Sequence, residues 1–145
     1  MKTVFVHIAA IVVFATFLSA CDSPYQYIFY VTNHTGEPVQ VEAVAHNNKN
    51  SSITIPEGKT IDIYSEQNMT SNHNYVPEDL YMDRNSWRHL PPYKKFEVYA
   101  GNTLLSDSVR LRKYWDYSAK KLLGTYTLNV TEELVSNLAQ LNIDN

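Results

Sequence analysis

Alternation of apolar and polar residues is the feature that most constrains the fold of this 145-residue chain. In PVQVEAVAH, residues 38–46, small apolar side chains occupy every second position from Val39 to Ala45. Successive side chains of a β-strand point to opposite faces, so this period of two predicts a half-buried strand. KFEVYA (95–100) and TYTLNV (125–130) repeat the pattern. The residues predicted to face inward are Val39, Val41, Ile61, Ile63, Phe96, Val98, Tyr126 and Leu128.

Turn-forming residues separate the strands predicted in the first half of the chain. NHTGE (33–37) follows the aromatic and β-branched segment YQYIFYVT (25–32) and precedes the alternating stretch. PEGK (56–59) separates SITI (52–55) from TIDIY (60–64). Gly, Pro and Asn favour tight turns between neighbouring strands. Each of the two turns is therefore predicted to close a hairpin.

The second half of the chain continues the β pattern and then changes it. Gly101-Asn102 predicts a turn after KFEVYA, and TLLSD (103–107) and SVRLRKYW (108–115) are predicted strands. Thr131 can cap a helix whose first turn carries Glu132 and Glu133, the charge that suits a helix N-terminus. The predicted fold is mainly β: an immunoglobulin-like β-sandwich of about seven or eight strands with a short C-terminal helix. A closed barrel is the alternative.

An apolar segment followed by the only cysteine of the chain predicts how the protein is exported. Val4 to Leu18 is almost entirely apolar and follows Lys2. This is the layout of a secretory signal, and the segment is shorter than the roughly 20 residues that span a bilayer. The motif Leu18-Ser19-Ala20-Cys21 resembles the lipobox of bacterial lipoproteins. That resemblance implies cleavage between Ala20 and Cys21 and lipidation of the Cys21 sulfur.

The resemblance extends to the domain organisation and to the location of the protein. The segments VTNHTG, PEGKT, FEVYAGN and YTLNVTEEL are similar to those of small single-domain bacterial lipoproteins, many of which have no assigned function. The resemblance implies a lipoprotein signal peptide in residues 1–20, a lipid-anchored tether in 21–26 and a β-sandwich domain in 27–145. It places the protein in the cell envelope. Asp22 signals inner-membrane retention in enteric-type bacteria, whereas other lineages sort such proteins outward, so both membranes stay open.

Acylation of Cys21 would leave the mature chain without a thiol. No disulfide or thiolate metal ligand is then expected, and the fold depends on its core. Cleavage before Cys21 removes one of the 12 basic residues, Lys2, and none of the 15 acidic ones, which leaves a formal charge of −4. An acidic domain does not imply nucleic acid as a partner. The sequence does not indicate an oligomeric state.

The segment from Ser65 to Pro92 breaks the strand pattern and carries the candidate binding residues. It is rich in Asn, Ser, His and Pro, and irregular stretches of this length are usually functional loops or crossovers between sheets. Aromatic rings can stack on sugars or peptides while their polar atoms form hydrogen bonds. The alternative is that these rings fill the ends of the sandwich. The candidate ligand-binding residues in and beside this segment are Tyr75, Tyr81, Trp87 and Tyr93.

No catalytic residue, metal site or cofactor is predicted. The chain contains no HExxH, GxSxG or glycine-rich phosphate loop. Histidine and carboxylate side chains in the irregular segment, His73, Glu78, Asp79 and Asp83, are expected to be solvated rather than to bind metal or to act as an acid and base pair. The basic residues around Trp115 are expected to form a solvated strand face, with a membrane-facing surface as the alternative. These are Arg110, Arg112, Lys113, Lys120 and Lys121.

Three functions follow from these observations. The first is a lipid-anchored envelope module that binds or adheres to a glycan or a protein, and the aromatic residues of the irregular segment favour it. The second is a structural or assembly component of the envelope without a small ligand. The third is an envelope hydrolase, which would need carboxylates or histidines that converge in a pocket.

Overall fold

The computed structural model describes residues 22–82 and 89–140, and within these ranges the chain forms eight β-strands and one α-helix. The predicted signal peptide (residues 1–20, which includes Ala20), Cys21, Asp83 and Trp87 lie outside the described residues. Two 3₁₀ turns, Asp107–Arg110 and Arg112–Tyr114, separate β6 from β7. In chain order the elements are β1 (Ser23–His34), β2 (Val39–Val44), β3 (Asn50–Ile55), β4 (Thr60–Thr70), β5 (Lys95–Ala100), β6 (Thr103–Leu104), β7 (Trp115–Lys120), β8 (Leu123–Thr131) and α1 (Glu132–Gln140).

The strands form two four-stranded sheets that pack into a β-sandwich, which confirms the predicted fold class. Sheet 1 has the order β4-β1-β8-β7 and sheet 2 the order β3-β2-β5-β6. Every pairing is antiparallel except that of β1 with β8, the first and last strands, which run parallel. The indole of Trp115 in sheet 1 lies 6.2 Å from the ring of Phe96 in sheet 2, measured between centroids. One core therefore spans both sheets.

The predicted inward faces are confirmed, and only one residue of the set is less than fully buried. Ile61 is half-buried, and the other seven residues are buried. Near Ile63 the register of β1 and β4 shifts: Phe29 pairs with Tyr64 and Tyr30 with Asp62, so Ile63 is an extra residue in β4. Such a bulge keeps one face buried across a change of register.

The two predicted hairpins are wrong, because both tight turns cross between the sheets. β1 belongs to sheet 1 and β2 to sheet 2, so residues 35–38 connect the layers, and residues 56–59 do the same for β3 and β4. Both edges of β1 are already occupied by β4 and β8. The turn predicted at Gly101 and Asn102, in contrast, is confirmed and closes a hairpin between β5 and β6, since Ala100 pairs with Thr103.

A buried asparagine fastens these two crossovers together. The Asn33 side-chain amide donates to the carbonyls of Glu37 (2.7 Å) and Ile55 (2.8 Å), and its oxygen accepts from the backbone N–H of Thr35 (3.0 Å). Its backbone also accepts from the N–H of Gly58, whose φ of +68° suits glycine. Buried polar groups are retained when they are bonded in this way. Asn33 thus holds the ends of β1 and β3 in their separate sheets.

Several boundaries differ from the predicted ones. β1 begins at Ser23, so residues 23–26 of the predicted tether belong to the sheet. β4 continues to Thr70, so the irregular segment begins at residue 71. Most of the predicted strand over 108–115 is instead 3₁₀ turn, in which the Ser106 hydroxyl accepts from the Ser108 N–H. Local side-chain bonds of this kind compete with strand pairing.

The C-terminal helix is confirmed with its predicted cap. The backbone N–H of Leu134 donates to Thr131 Oγ1 at 3.2 Å, and Glu132 and Glu133 occupy the first turn. Leu138 is fully buried against the sandwich. The helices in the described part of the chain all fall short of the length and apolarity needed to cross a bilayer.

Candidate functional site

The predicted aromatic residues that the structure describes, Tyr75, Tyr81 and Tyr93, are each packed against other aromatic rings. Tyr81 is buried, and its ring stands edge-on to Phe29 and Tyr126, with centroids 6.3 and 5.4 Å away. Tyr75 is half-buried against Tyr25, with ring centroids 4.8 Å apart. Trp87 lies outside the described residues. Edge-to-face and stacked pairs of this kind are core packing, so Tyr81 fills the sandwich as the alternative interpretation stated.

Tyr93 is likewise a packing residue, and its hydroxyl has a defined structural partner. The ring is parallel to that of Phe96 at 6.3 Å and edge-on to Tyr64 at 5.2 Å. The Tyr93 hydroxyl donates to the carbonyl of Ile63 at 2.6 Å. Because Ile63 is the extra residue of the β4 bulge, Tyr93 satisfies a carbonyl at the place where the ladder is interrupted.

Tyr93→Phe should therefore lower the free energy of unfolding while leaving the ring packing intact. Removing one partner of a hydrogen bond and leaving a carbonyl unsatisfied costs about 1–2 kcal/mol. Urea denaturation followed by tyrosine and tryptophan fluorescence measures the change. Tyr30→Phe, on the outer face of β1, is the matched control and should change stability far less. Equal stability of Tyr93→Phe and the wild type would contradict the role assigned to this hydroxyl.

A second polar network ties the irregular segment to sheet 1. Arg112 Nη2 and Nε donate to Asp79 Oδ2 at 2.6 and 2.8 Å, and Arg112 Nη1 donates to the carbonyl of Trp115. The Tyr126 hydroxyl donates to Asp79 Oδ1 at 2.9 Å and accepts from the N–H of Leu80 at 3.0 Å. The solvated roles expected for Asp79 and Arg112 are therefore wrong.

The electrostatics of this network keep Asp79 ionised. Burial alone would raise the pKa of the Asp79 carboxyl, but hydrogen bonds from Arg112, Tyr126 and the backbone N–H of Tyr81 outweigh it and lower that pKa. Burial and the hydrogen bond to Asp79 raise the pKa of Tyr126, so its hydroxyl stays a donor. Nearby, burial raises the pKa of Tyr117 to about 12.

Arg110 is buried as well, and the structure leaves its charge poorly compensated. Its Nη2 donates to the carbonyls of Tyr93 (2.7 Å) and Pro91 (3.2 Å), while Nη1 lies 3.8 Å from the exposed Asp107 carboxylate. Its Nε has no hydrogen-bond partner within the described ranges. Burial lowers the pKa of Arg110, and Asp107 offsets this only in part. The expectation that the basic residues around Trp115 are solvated is therefore also wrong for Arg110, which is buried.

A cleft of about 520 Å³ brings together residues that are distant in the chain. It lies between the end of β2, the middle of β4 and the segment before β5. Arg110 lines it, and Leu80, exposed to 46%, forms part of its wall. The other lining residues are His46, Glu66, Tyr81, His89, Pro92 and Tyr93.

The polar side chains of the cleft include one guanidinium group, two imidazoles and one carboxylate. His46 and His89 are both exposed at the cleft, and Glu66 is held by a hydrogen bond from Asn68 at 2.9 Å. Neither histidine lies in a local motif, so the sequence carries no signal that joins positions 46 and 89. Arg110 was placed on a solvated strand, so its contribution was missed entirely.

Other depressions lie in the described part of the chain, and one of them shares Arg110 with the cleft. A depression of about 440 Å³ along β2, β3 and β5 is lined chiefly by small polar residues, with Glu42 and Lys95 as its charged members. In the residues that the structure describes, histidine, cysteine and carboxylate side chains nowhere gather in the groups of three that could hold a metal ion. His73 contacts the Ser23 hydroxyl.

Comparison with known proteins adds no further constraint on the site. No protein-family model, curated protein or solved structure matches this chain.

Proposed function

We propose that the chain is a lipoprotein of the bacterial cell envelope, anchored through acylated Cys21, whose β-sandwich binds a protein ligand in the cleft beside Arg110. The anchor is supported by the lipobox-like Leu18-Ser19-Ala20-Cys21 and by the absence of any other cysteine. The fold supports it too, because β1 begins at Ser23 and the apolar segment is not needed to complete the described sheets.

The cleft is the single observation that carries the binding proposal. Concave sites with a few convergent polar groups are where ligands bind most often. Arg110 is buried with two neutral carbonyls and one distant carboxylate as partners. Buried charges are normally paired, so an acidic group of the ligand would complete its surroundings. His46 and His89 would add donors at the rim.

The apolar surroundings favour a protein over a glycan. The buried ring of Tyr81 packs against Phe29 and Tyr126, and the ring of Tyr93 is parallel to that of Phe96, so both rings are already engaged in packing contacts. Leu80, in the wall of the cleft, is in contrast exposed to 46%. Exposed aliphatic side chains beside a polar cleft are typical of protein interaction surfaces. A peptide segment with a carboxylate side chain fits this chemistry.

One observation favours the second candidate, a structural component without a small ligand. The aromatic rings of the irregular segment pack at the end of the sandwich. Hydrogen bonds of Asp79 with Tyr126 and of Tyr93 with the Ile63 carbonyl join this part of the chain to sheet 1. A segment built in this way stiffens the domain and needs no ligand to explain its composition. The hydrolase has no comparable support, because Asp79 is committed to Arg112.

Site-specific photo-crosslinking in the native cell distinguishes these candidates. A benzophenone amino acid at Leu80, in the wall of the cleft, should give a discrete protein adduct. The same group at Leu104, a residue of sheet 2 with a similar exposure of 39%, is the matched control and should give none. His46→Ala combined with His89→Ala should weaken the Leu80 adduct without loss of expression, because both residues are exposed.

The outcomes separate the proposals. Equal adducts at Leu80 and Leu104, or none at either, would contradict a ligand in the cleft. Adducts at Leu80 that glycosidase treatment removes would identify a glycan as the ligand.

A further inference from the structure

One end of the sandwich is defined by the start of β1. Ser23 pairs with Thr70, the last residue of β4, and its hydroxyl contacts His73. The parallel strand β8 begins beside β1 with Leu123 opposite Gln26, and the Gln26 N–H donates to the carbonyl of Leu122 at 2.8 Å. The turn between β7 and β8 therefore projects beyond Gln26 in the direction of Ser23.

Two lysines and three apolar residues are exposed at this end. Lys120 is the last residue of β7, and Lys121 begins the turn with a φ of +51°, the left-handed conformation of a tight connection. Met69 is opposite Pro24 in the sheet and is exposed to 64%, and Leu123 is exposed to 36%. We call this set, Pro24, Met69, Lys120, Lys121 and Leu123, the proximal surface. Asp22, also exposed, is an acidic neighbour.

We infer that the proximal surface sits on an anionic phospholipid bilayer, an inference that rests on the proposed lipid anchor. Only Asp22 separates Cys21 from the first residue of the sheet. An extended chain covers at most about 3.6 Å per residue, so the Cα atoms of Cys21 and Ser23 are at most about 7 Å apart. The acyl chains hold Cys21 at the lipid headgroups, so the start of β1 must lie close to the headgroups as well.

The chemistry of the proximal surface matches that position. The Debye length at physiological ionic strength is about 8 Å, so lysines this close to the bilayer feel its surface charge. The ammonium groups of Lys120 and Lys121 pair with lipid phosphates. The Met69 and Leu123 side chains reach the apolar boundary of the headgroup layer, as in other interfacial segments. The domain is thereby held in one orientation instead of rotating about its anchor.

Fluorescence quenching in reconstituted vesicles tests the orientation. Lipidated full-length protein takes no thiol label, because acylation blocks Cys21, so a cysteine introduced by Met69→Cys can be labelled alone. In vesicles of phosphatidylcholine with phosphatidylglycerol, quenchers carried on the lipid headgroups should quench this label strongly. A label at Glu57→Cys, in the turn at the opposite end of β1, should be quenched far less. Phosphatidylcholine vesicles should reduce the difference.

Charge reversal of the two lysines is a second test of docking on the bilayer. Lys120→Glu with Lys121→Glu should lower the docked fraction about tenfold or more, since each basic residue near an anionic surface strengthens binding about fivefold. Lys49→Glu with Lys59→Glu changes the net charge equally, at residues outside the proximal surface, and should preserve docking. Equal quenching at Met69→Cys and Glu57→Cys in anionic vesicles, with Cys21 acylated by mass spectrometry, would overturn the orientation alone. A free Cys21 thiol in the mature protein would overturn the anchor, and the docking inference with it.

Discussion

Cys21→Ala should abolish fatty-acid labelling of the protein and leave an uncleaved precursor. The sulfur of Cys21 is the only thiol of the chain, so no other residue can take the diacylglycerol. A single acyl chain binds membranes only marginally, whereas the two or three chains of a mature bacterial lipoprotein anchor it stably. Metabolic labelling with palmitate, followed by membrane fractionation, measures both the modification and the attachment.

The mass of the Cys21→Ala product distinguishes an uncleaved lipoprotein precursor from an ordinary secreted protein. Residues 1–20 would remain on Cys21→Ala, and the increase in mass is resolved by gel electrophoresis or mass spectrometry. Asp22→Ala serves as the control, because it alters the neighbouring residue and keeps the sulfur. If Cys21→Ala is still cleaved after Ala20, the protein is an ordinary secreted domain, and if it still incorporates palmitate, the acyl group is on another residue. Either outcome would make the lipoprotein proposal wrong.

Period-two alternation predicted the faces of the strands but not their partners. Val39, Val98 and Leu128 are buried as expected, because the direction of a strand side chain depends on local geometry alone. Partner choice depends on the edges that remain free. β8 returns from the far end of the chain to occupy one edge of β1, and this displaces β2 into the other sheet. Nothing in the turn residues 33–37 distinguishes a hairpin from a crossover.

The candidate site was harder to predict than the fold. An irregular segment rich in polar residues predicts solvent-exposed side chains, but the rings of Tyr81 and Tyr93 pack into the sandwich. Sheet 1 is longer than sheet 2 at the end where β1 starts, and the segment covers the inner face that sheet 2 leaves open. The cleft arises where this cover meets β4, so its lining comes from positions as far apart as 46 and 110. Such a juxtaposition exists only in three dimensions.

Asp79→Ala should be the most destabilising substitution in this cover, at about 2–4 kcal/mol. Removing one partner of a buried ion pair costs about 3–5 kcal/mol, and the value is smaller here because Arg112 keeps 26% of its side chain in solvent. The substitution also leaves the Tyr126 hydroxyl and the backbone N–H of Tyr81 without their acceptor. Urea denaturation measures the loss, and Asp62→Ala, at an exposed position of β4, should stay within about 0.5 kcal/mol of the wild type.

The pH dependence of stability identifies the charge as the cause. The pKa of Asp79 is lowered in the folded protein from its ordinary value of 3.8. Its ionised form therefore stabilises the fold at pH values above 3.8, and this contribution is lost as the pH falls through the lower, folded pKa. Asp79→Asn keeps the shape of the side chain without the charge. The stability difference between wild type and Asp79→Asn should be full near pH 7 and should shrink below pH 3.8. A difference that stays constant down to acidic pH would show that Asp79 acts through its shape and not through its ion pair with Arg112.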